Sequence, residues 1–217
     1  MRQRLLRDKV VLFVFCQIRC RLRPCLPRQA CTLAALILAA MASSPRAGEQ
    51  CAGLRTPYAA QVYEADMLHL PTPTPVVAQM LRLARVSPAD VVYDLGSGDG
   101  RIPIAAARDF GARGVGIELD ARLIALARCN AREAGVGDKI DFRQEDLFGT
   151  DLREATVVTL FLFPELNRRL KPKLLAELKP GTRIVSHRFD LGDWPPERIV
   201  HSSNHPILLW TVPARSR

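Results

Sequence analysis

No apolar run in this 217-residue chain is long enough to cross a bilayer comfortably. The longest, Ala30 to Ala42, spans about 13 residues where a membrane helix needs roughly 20. Histidine and cysteine show no metal-ligand spacing: Cys16, Cys20 and Cys25 have no histidine among them, and His69, His187, His201 and His205 are scattered, so no metal site is expected. Only one of the six cysteines, Cys129, lies within the core sequence, while Cys16, Cys20, Cys25, Cys31 and Cys51 fall in or just after the first fifty residues. No disulfide framework is implied, and Cys129 reads as a small packed side chain. No basic stripe interleaved with aromatics tracks a phosphate backbone, and no internal repeat or long linker interrupts the chain.

The formal net charge of +9 would invite a nucleic-acid reading, but its position removes most of that invitation. Residues 1–29 hold eight arginines or lysines against one acid, Asp8, so the rest of the chain carries only two net positive charges. No nucleic-acid partner is expected. The basic stretch leads into Ala30–Ala42 and then small residues, the layout of a secretory signal cleaved after Ala42, with Ala40 completing an A-x-A pattern. The same segment would also serve as a membrane anchor, and a translation start later than Met1 would make it no part of the protein. Residues 1–50 are thus a leader and residues 51–217 a single domain, large enough for one core. Export or membrane association follows from the leader, and a cytoplasmic location from a mis-assigned start.

Against these absences stands one dense signal, Val91-Val92-Tyr93-Asp94-Leu95-Gly96-Ser97-Gly98-Asp99-Gly100-Arg101. An apolar strand ends in an acid and runs into alternating glycines, which let backbone approach a ligand, and the helix from about Ile102 offers unpaired N–H groups. The G-x-G-x-G spacing differs from the G-x-G-x-x-G dinucleotide fingerprint, which shifts the reading from NAD toward S-adenosylmethionine. A second strand, Gly114-Val115-Gly116-Ile117-Glu118, places Glu118 about 20 residues on, where a carboxylate can accept both ribose hydroxyls. A third, Ile140 to Leu147, leaves Asp146 at its tip, placed to accept from an adenine amino group.

Strands fall near 91–95, 113–118, 140–143, 156–162 and 182–187, and helices near 101–109, 121–134 and 164–178. Thr74 is read as the N-cap of an earlier helix with Pro75 at its first position, and Gly135 as a C-cap. Two further strand candidates, near 197–201 and 207–212, have no helix between them.

These segments resemble the first three cofactor motifs of class I S-adenosylmethionine-dependent methyltransferases, over roughly Leu70 to Val212. The resemblance implies an α/β, Rossmann-like seven-stranded fold, its mostly parallel sheet completed by a C-terminal antiparallel hairpin. The segments Leu70-Pro71-Thr72-Pro73-Thr74-Pro75, Asp94 to Arg101 and Arg183-Ile184-Val185-Ser186-His187-Arg188-Phe189 are similar to a narrower group. It contains the mitochondrial lysine methyltransferases acting on the ATP synthase c-subunit and the adenine nucleotide translocase, with bacterial relatives. That resemblance implies S-adenosyl-L-methionine bound by Thr72, Asp94, Gly96, Ser97, Gly98, Gly100, Glu118 and Asp146, and a protein lysine acceptor, conceivably on a membrane protein. Small-molecule methylation and a non-catalytic cofactor-binding scaffold are the alternatives.

Methyl transfer needs a nucleophile placed in line with an already activated methyl group and water kept out. The acceptor wall is expected at the end of the fourth strand, Leu160-Phe161-Leu162-Phe163-Pro164-Glu165-Leu166-Asn167, with Phe163 and Glu165 as candidate catalytic residues. This is not the Asn-Pro-Pro-aromatic motif that holds the planar amine of adenine or a glutamine amide, nor is there a Pro-Cys nucleophile for cytosine carbon. Tyr63 and Thr72 or Thr74 are candidates to close over the cofactor's methionine end. His187 is expected to be structural, Trp210 core, Trp194 a sheet cover or groove edge, and Arg168, Arg169, Lys171 and Lys173 the solvated face of a helix.

Overall fold

The computed structural model describes Cys51, Leu54, residues 71–202 and residues 205–214. The leader, Tyr63, His69 and Leu70 lie outside the described residues. Among the described residues, no helix is long and apolar enough to cross a membrane.

The chain alternates α1 (Thr74–Leu83), β1 (Val91–Leu95), α2 (Arg101–Phe110), β2 (Arg113–Glu118), α3 (Ala121–Glu133), β3 (Ile140–Gln144), β4 (Val157–Leu160), α4 (Pro164–Glu177) and β5 (Arg183–His187), and closes with β6 (Arg198–Ser202) and β7 (His205–Thr211). The seven strands form one sheet in the order β3-β2-β1-β4-β5-β7-β6. Strands β1 to β5 pair in parallel, whereas β7 runs antiparallel to both β5 and β6. The missing helix between the last two strands leaves a hairpin, and its second strand inserts beside β5.

Alternation along the central strands sorts the core into two layers. Val92, Val157, Val185 and Leu209 face one side, where Val76, Val77, Met80 and Leu81 of α1 and Ile102 and Ala106 of α2 cover them. Their neighbours Tyr93, Val158, Ile184, Leu208 and Trp210 face the other, under Leu170 and Leu174 of α4. Trp210 is fully buried and its indole N–H donates to the Trp194 carbonyl at 2.8 Å, with Trp194 packed against the same layer. The layers are tied at the bottom of the sheet by Asp90, which accepts from Arg183 Nη2 at 2.6 Å, the Thr156 hydroxyl at 2.7 Å and both the Ser87 amide and hydroxyl at 2.8 Å. Burial works against its charge, but these hydrogen bonds hold its pKa below the ordinary aspartate value.

Local expectations needed four corrections. The residue capping α1 is Pro73, in extended conformation, rather than Thr74; its carbonyl accepts from Val76 and Val77, and Thr74 is the first helical residue. The cap of α3 is Ala134, and Gly135, with φ of 70°, is the left-handed residue that follows it. Strand β4 stops at Leu160, so Phe161 to Phe163 leave the sheet before Pro164 opens α4. Cys129 is not merely packed: it forms a disulfide with Cys51, Cα atoms 5.8 Å apart, across 78 residues of sequence.

Candidate active site

At the carboxyl ends of β1, β2 and β4, a cleft of about 670 Å³ opens, within the range of small-molecule sites. The sheet order brings its walls together: β3 contributes the loop with Glu145 and Asp146, β2 contributes Glu118, β1 contributes Asp94, and β4 runs on into Phe161, Leu162 and Phe163. Ligands meet open α/β sheets at this edge because the loops diverge where the crossovers change direction.

Asp94 is the most constrained of these side chains. Its register partner on β4 is Thr159, whose hydroxyl donates to Asp94 Oδ1 at 2.6 Å. Burial pushes its pKa up to about 7, with the charges of Asp99 and Glu118 adding to the shift and the Thr159 bond opposing it. A carboxylate so held is short of a cation. Glu118 accepts the Gly98 amide on Oε2 at 3.0 Å and the Leu119 and Asp120 amides on Oε1 at 2.8 and 3.1 Å. It therefore fixes the glycine turn as well as facing the cleft.

Of the residues expected to hold a cofactor, Thr72, Asp94, Gly96, Ser97, Glu118 and Asp146 line the cleft. Gly98 and Gly100 do not, and the three glycines have different jobs. Gly96 faces the cleft at φ of 81°, and a Cβ there would stand 2.9 Å from Leu162 Cδ2. Gly100 is buried at φ of 80°, and a Cβ would run into the Phe142 ring at 2.6 Å, so its bareness serves packing between the turn and β3. Phe163 lines the cleft and is 42% exposed. Glu165 is not among the lining residues; it points to solvent and pairs with Arg168 at 2.8 Å.

Several lining residues were given no site role by the sequence: Leu119, Asp120, Leu123 and Phe148 carried no signal, and Pro71, Asp99, Arg101 and Arg169 were noted only as parts of longer segments. Arg168 and Arg169 are exposed as expected, Arg169 lying 4.3 Å over the Phe148 ring at the cleft rim and Arg168 pairing with Glu165, whereas Lys171 and Lys173 are partly covered and pair with Asp193 and Glu177. Arg101 closes a small network, donating to Asp99 through Nε and Nη2 at 2.9 and 2.6 Å and to the Thr72 carbonyl at 2.8 Å. It ties the Pro71–Pro73 segment to the glycine turn. His187 is 1% exposed beside the Phe161 ring, with neither ring nitrogen hydrogen-bonded among the described residues; burial first, then His205 and Arg188, lower its pKa to about 4. Among the described residues, no three His, Cys, Asp or Glu side chains are grouped to hold a metal.

The site suits a cationic nucleoside cofactor. Among the described residues, Ser97 Oγ is buried without a hydrogen-bond partner and no cation is paired with Asp94, while Gly96 presents bare backbone to the cleft. Fold and site together define an S-adenosylmethionine-dependent methyltransferase of the Rossmann-like class. The comparisons agree and narrow it. Residues 94–198 match the ANTKMT methyltransferase domain, and the chain belongs to that family. It is 43% identical over 155 residues to a protein-lysine N-methyltransferase of Saccharolobus islandicus, covering 69% of this chain and 96% of that one. It is 42% identical to the adenine nucleotide translocase lysine N-methyltransferase of Mus musculus, covering 63% of this chain but only 59% of the mouse protein. Among solved structures, an RNA methyltransferase of Salinibacter ruber in complex with S-adenosyl-L-homocysteine is 56% identical, with a TM-score of 0.67, covering 68% of this chain and 97% of that one.

Proposed function

We propose that this enzyme methylates the side-chain amine of lysine in a protein. The observation that carries the reading is the charge of the cleft. The described lining holds Asp94, Asp99, Glu118, Asp120, Glu145 and Asp146 against Arg101 and Arg169, and even with Asp99 paired to Arg101 and Asp120 to Arg122 just outside it, the acids are in excess. Such a wall draws in cations and repels a polyanion. That field suits a lysine better than the RNA named for the Salinibacter protein, and the names of the Saccharolobus and mouse relatives support the same acceptor.

S-Adenosylmethionine, when bound, supplies an activated methyl group on a cationic sulfur. We assign its binding to Thr72, Asp94, Gly96, Ser97, Glu118 and Asp146, with Gly98 and Gly100 shaping the turn. The Asp94 carboxylate balances positive charge, Glu118 holds the ribose hydroxyls, and Asp146 receives the adenine amine. Phe161, Leu162 and Phe163 exclude water from the acceptor, and an apolar wall lowers the pKa of a lysine ammonium until it gives up its proton. The proton passes to solvent water at the mouth of the cleft before the neutral amine is enclosed. Glu165, exposed on the first turn of α4, is assigned to acceptor-protein contact at the rim rather than to the reacting atoms.

The acceptor reading extends to a membrane protein, and the leader to membrane association or export. Support comes from the apolar run Ala30–Ala42 and from the Cys51–Cys129 disulfide, a bond typical of oxidising compartments. Flotation of the full chain with anionic vesicles tests the association, and a chain that stays at the bottom of the gradient refutes it.

The test of function is transfer of labelled methyl from S-adenosylmethionine into fractionated membrane and soluble extracts, resolved on gels and hydrolysed. A discrete band yielding methyl-lysine supports the reading. Label in RNA or only in small molecules moves the acceptor elsewhere, and no transfer despite cofactor binding supports a scaffold.

A further inference from the structure

The turn after β5 is held far more firmly than an exposed loop requires. Arg188 sits at φ of 72°, a left-handed conformation that costs a non-glycine residue energy and persists only where the surroundings impose it. Three groups impose it. The Ser186 hydroxyl donates to the Phe189 carbonyl at 2.6 Å, the Asn167 side-chain amide donates to the Phe189 and Asp190 carbonyls at 3.3 and 3.0 Å, and the Arg188 amide donates to the Pro206 carbonyl at 2.8 Å. Ser186 and Asn167 are fully buried, so two buried polar side chains fix the place of one half-exposed phenylalanine.

That phenylalanine completes a row. The Phe189 ring lies 6.3 Å from Phe161 at 12° and 6.3 Å from Phe163 at 38°, while Phe161 leans on His187 with centroids 4.3 Å apart. Phe161 and Phe163 line the cleft. Three partly exposed rings, held from behind by a buried imidazole and a pinned turn, form a rigid slab at the edge of the methyl-transfer site. The spacing between Phe161 and Phe189 is too small for a methylene chain to pass between them, so an occupant runs along the slab. Its outer end already accepts a cation: the Arg188 guanidinium stands 5.7 Å from the Phe189 centroid.

We propose that Phe161, Phe163 and Phe189 are the acceptor subsite: Phe189, stacked just outside the cleft lining, holds the lysine ammonium by a cation–π contact and is the specificity-determining residue, and the amine, its proton lost to solvent, then passes along Phe161 and Phe163 to the methyl group. The proposal rests on the lysine reading above and adds the site that recognises the amine. Ser186 and Asn167 are positioning residues that act through Phe189.

The experiment uses the full chain saturated with S-adenosylhomocysteine and two probes of nearly equal shape, choline and its uncharged carbon counterpart 3,3-dimethyl-1-butanol, titrated by ligand-observed NMR. Choline is expected to bind several-fold more tightly than the alcohol, and Phe189→Ala to weaken choline roughly tenfold, the factor expected for loss of a strong cation–π contact. Phe189→Tyr should restore most of it, and affinity for S-adenosylhomocysteine should stay within about twofold in both variants, showing that they fold. Equal binding of the two probes, or choline affinity unchanged in Phe189→Ala, overturns the subsite while leaving the methyltransferase reading intact. Failure of the unaltered protein to bind S-adenosylhomocysteine overturns both.

Discussion

Asp94→Asn should make the empty enzyme more stable, and only in alkaline solution. The carboxyl is 3% exposed, with its pKa pushed by burial from the ordinary 3.8 to about 7. Folding therefore favours the protonated form, and stability falls as pH rises from about 4 to about 7, because the unfolded chain releases this proton and the folded chain retains it. Each pH unit between the two values is worth 1.36 kcal/mol, so ionised Asp94 costs the fold roughly 4 kcal/mol at alkaline pH. Asparagine keeps an oxygen for the Thr159 hydroxyl and cannot ionise. Its new amide protons need partners, a cost of about 1–3 kcal/mol that does not vary with pH. Urea unfolding of wild type and variant at pH 5 and pH 8.5 cancels that cost. The stability difference between the two proteins should shift by roughly 3 kcal/mol in favour of the variant between those pH values. Saturating S-adenosylmethionine should abolish the advantage, since the wild-type carboxylate then gains a cation. A difference that is the same at both pH values would refute the account of Asp94 as a buried charge awaiting its countercharge.

Glu118→Ala should lower affinity for S-adenosylmethionine at least a hundredfold by calorimetry, the worth of two charge-assisted hydrogen bonds and an intact glycine turn, and unchanged affinity would remove Glu118 from the site. Asp90→Ala should cost about 3 kcal/mol in denaturant unfolding by stranding Arg183 and Thr156, with cofactor affinity per folded molecule unaltered; a loss below about 1 kcal/mol would show the network to be solvated. Reducing the Cys51–Cys129 bond should lower stability by about 4 kcal/mol, given the 78-residue separation it spans, and Cys129→Ser should be insensitive to reductant.

Much of this molecule is legible in its sequence because acids stand at or near the ends of three strands and one strand runs into glycines. Those features locate the sheet edge without knowledge of the fold, since a carboxylate within a buried strand is costly and is placed where a ligand can answer it. The final hairpin was legible for a different reason, the shortage of residues for a crossover helix between 201 and 207. Elsewhere the local signal misled. Leu160 to Leu162 is apolar throughout and reads as strand, but Pro164 lacks an N–H and fixes φ, so the chain must turn into α4 at that point. Phe163 is placed by that turn, and the same turn aims Glu165 outward.

What the sequence concealed is of one kind: side chains placed by partners distant in the chain. Arg169 stands in a run of basic residues that reads as a solvated surface, yet its guanidinium lies over the Phe148 ring at the cleft rim. Cys129 is a helix residue among alanines and leucines, and nothing local distinguishes it from packing until Cys51 arrives from 78 residues away. Arg188 is the sharpest case. A glycine there would have announced a left-handed turn, whereas the arginine keeps a side chain over the Phe189 ring and leaves Ser186, Asn167 and Pro206 to impose the backbone. An arginine held in that conformation by buried hydrogen bonds, beside an aromatic row two of whose rings line the cleft, is strain maintained for position rather than stability. That is why the proposed acceptor subsite rests on geometry, while the proposed cofactor contacts rest on Asp94, Glu118 and the glycines between them.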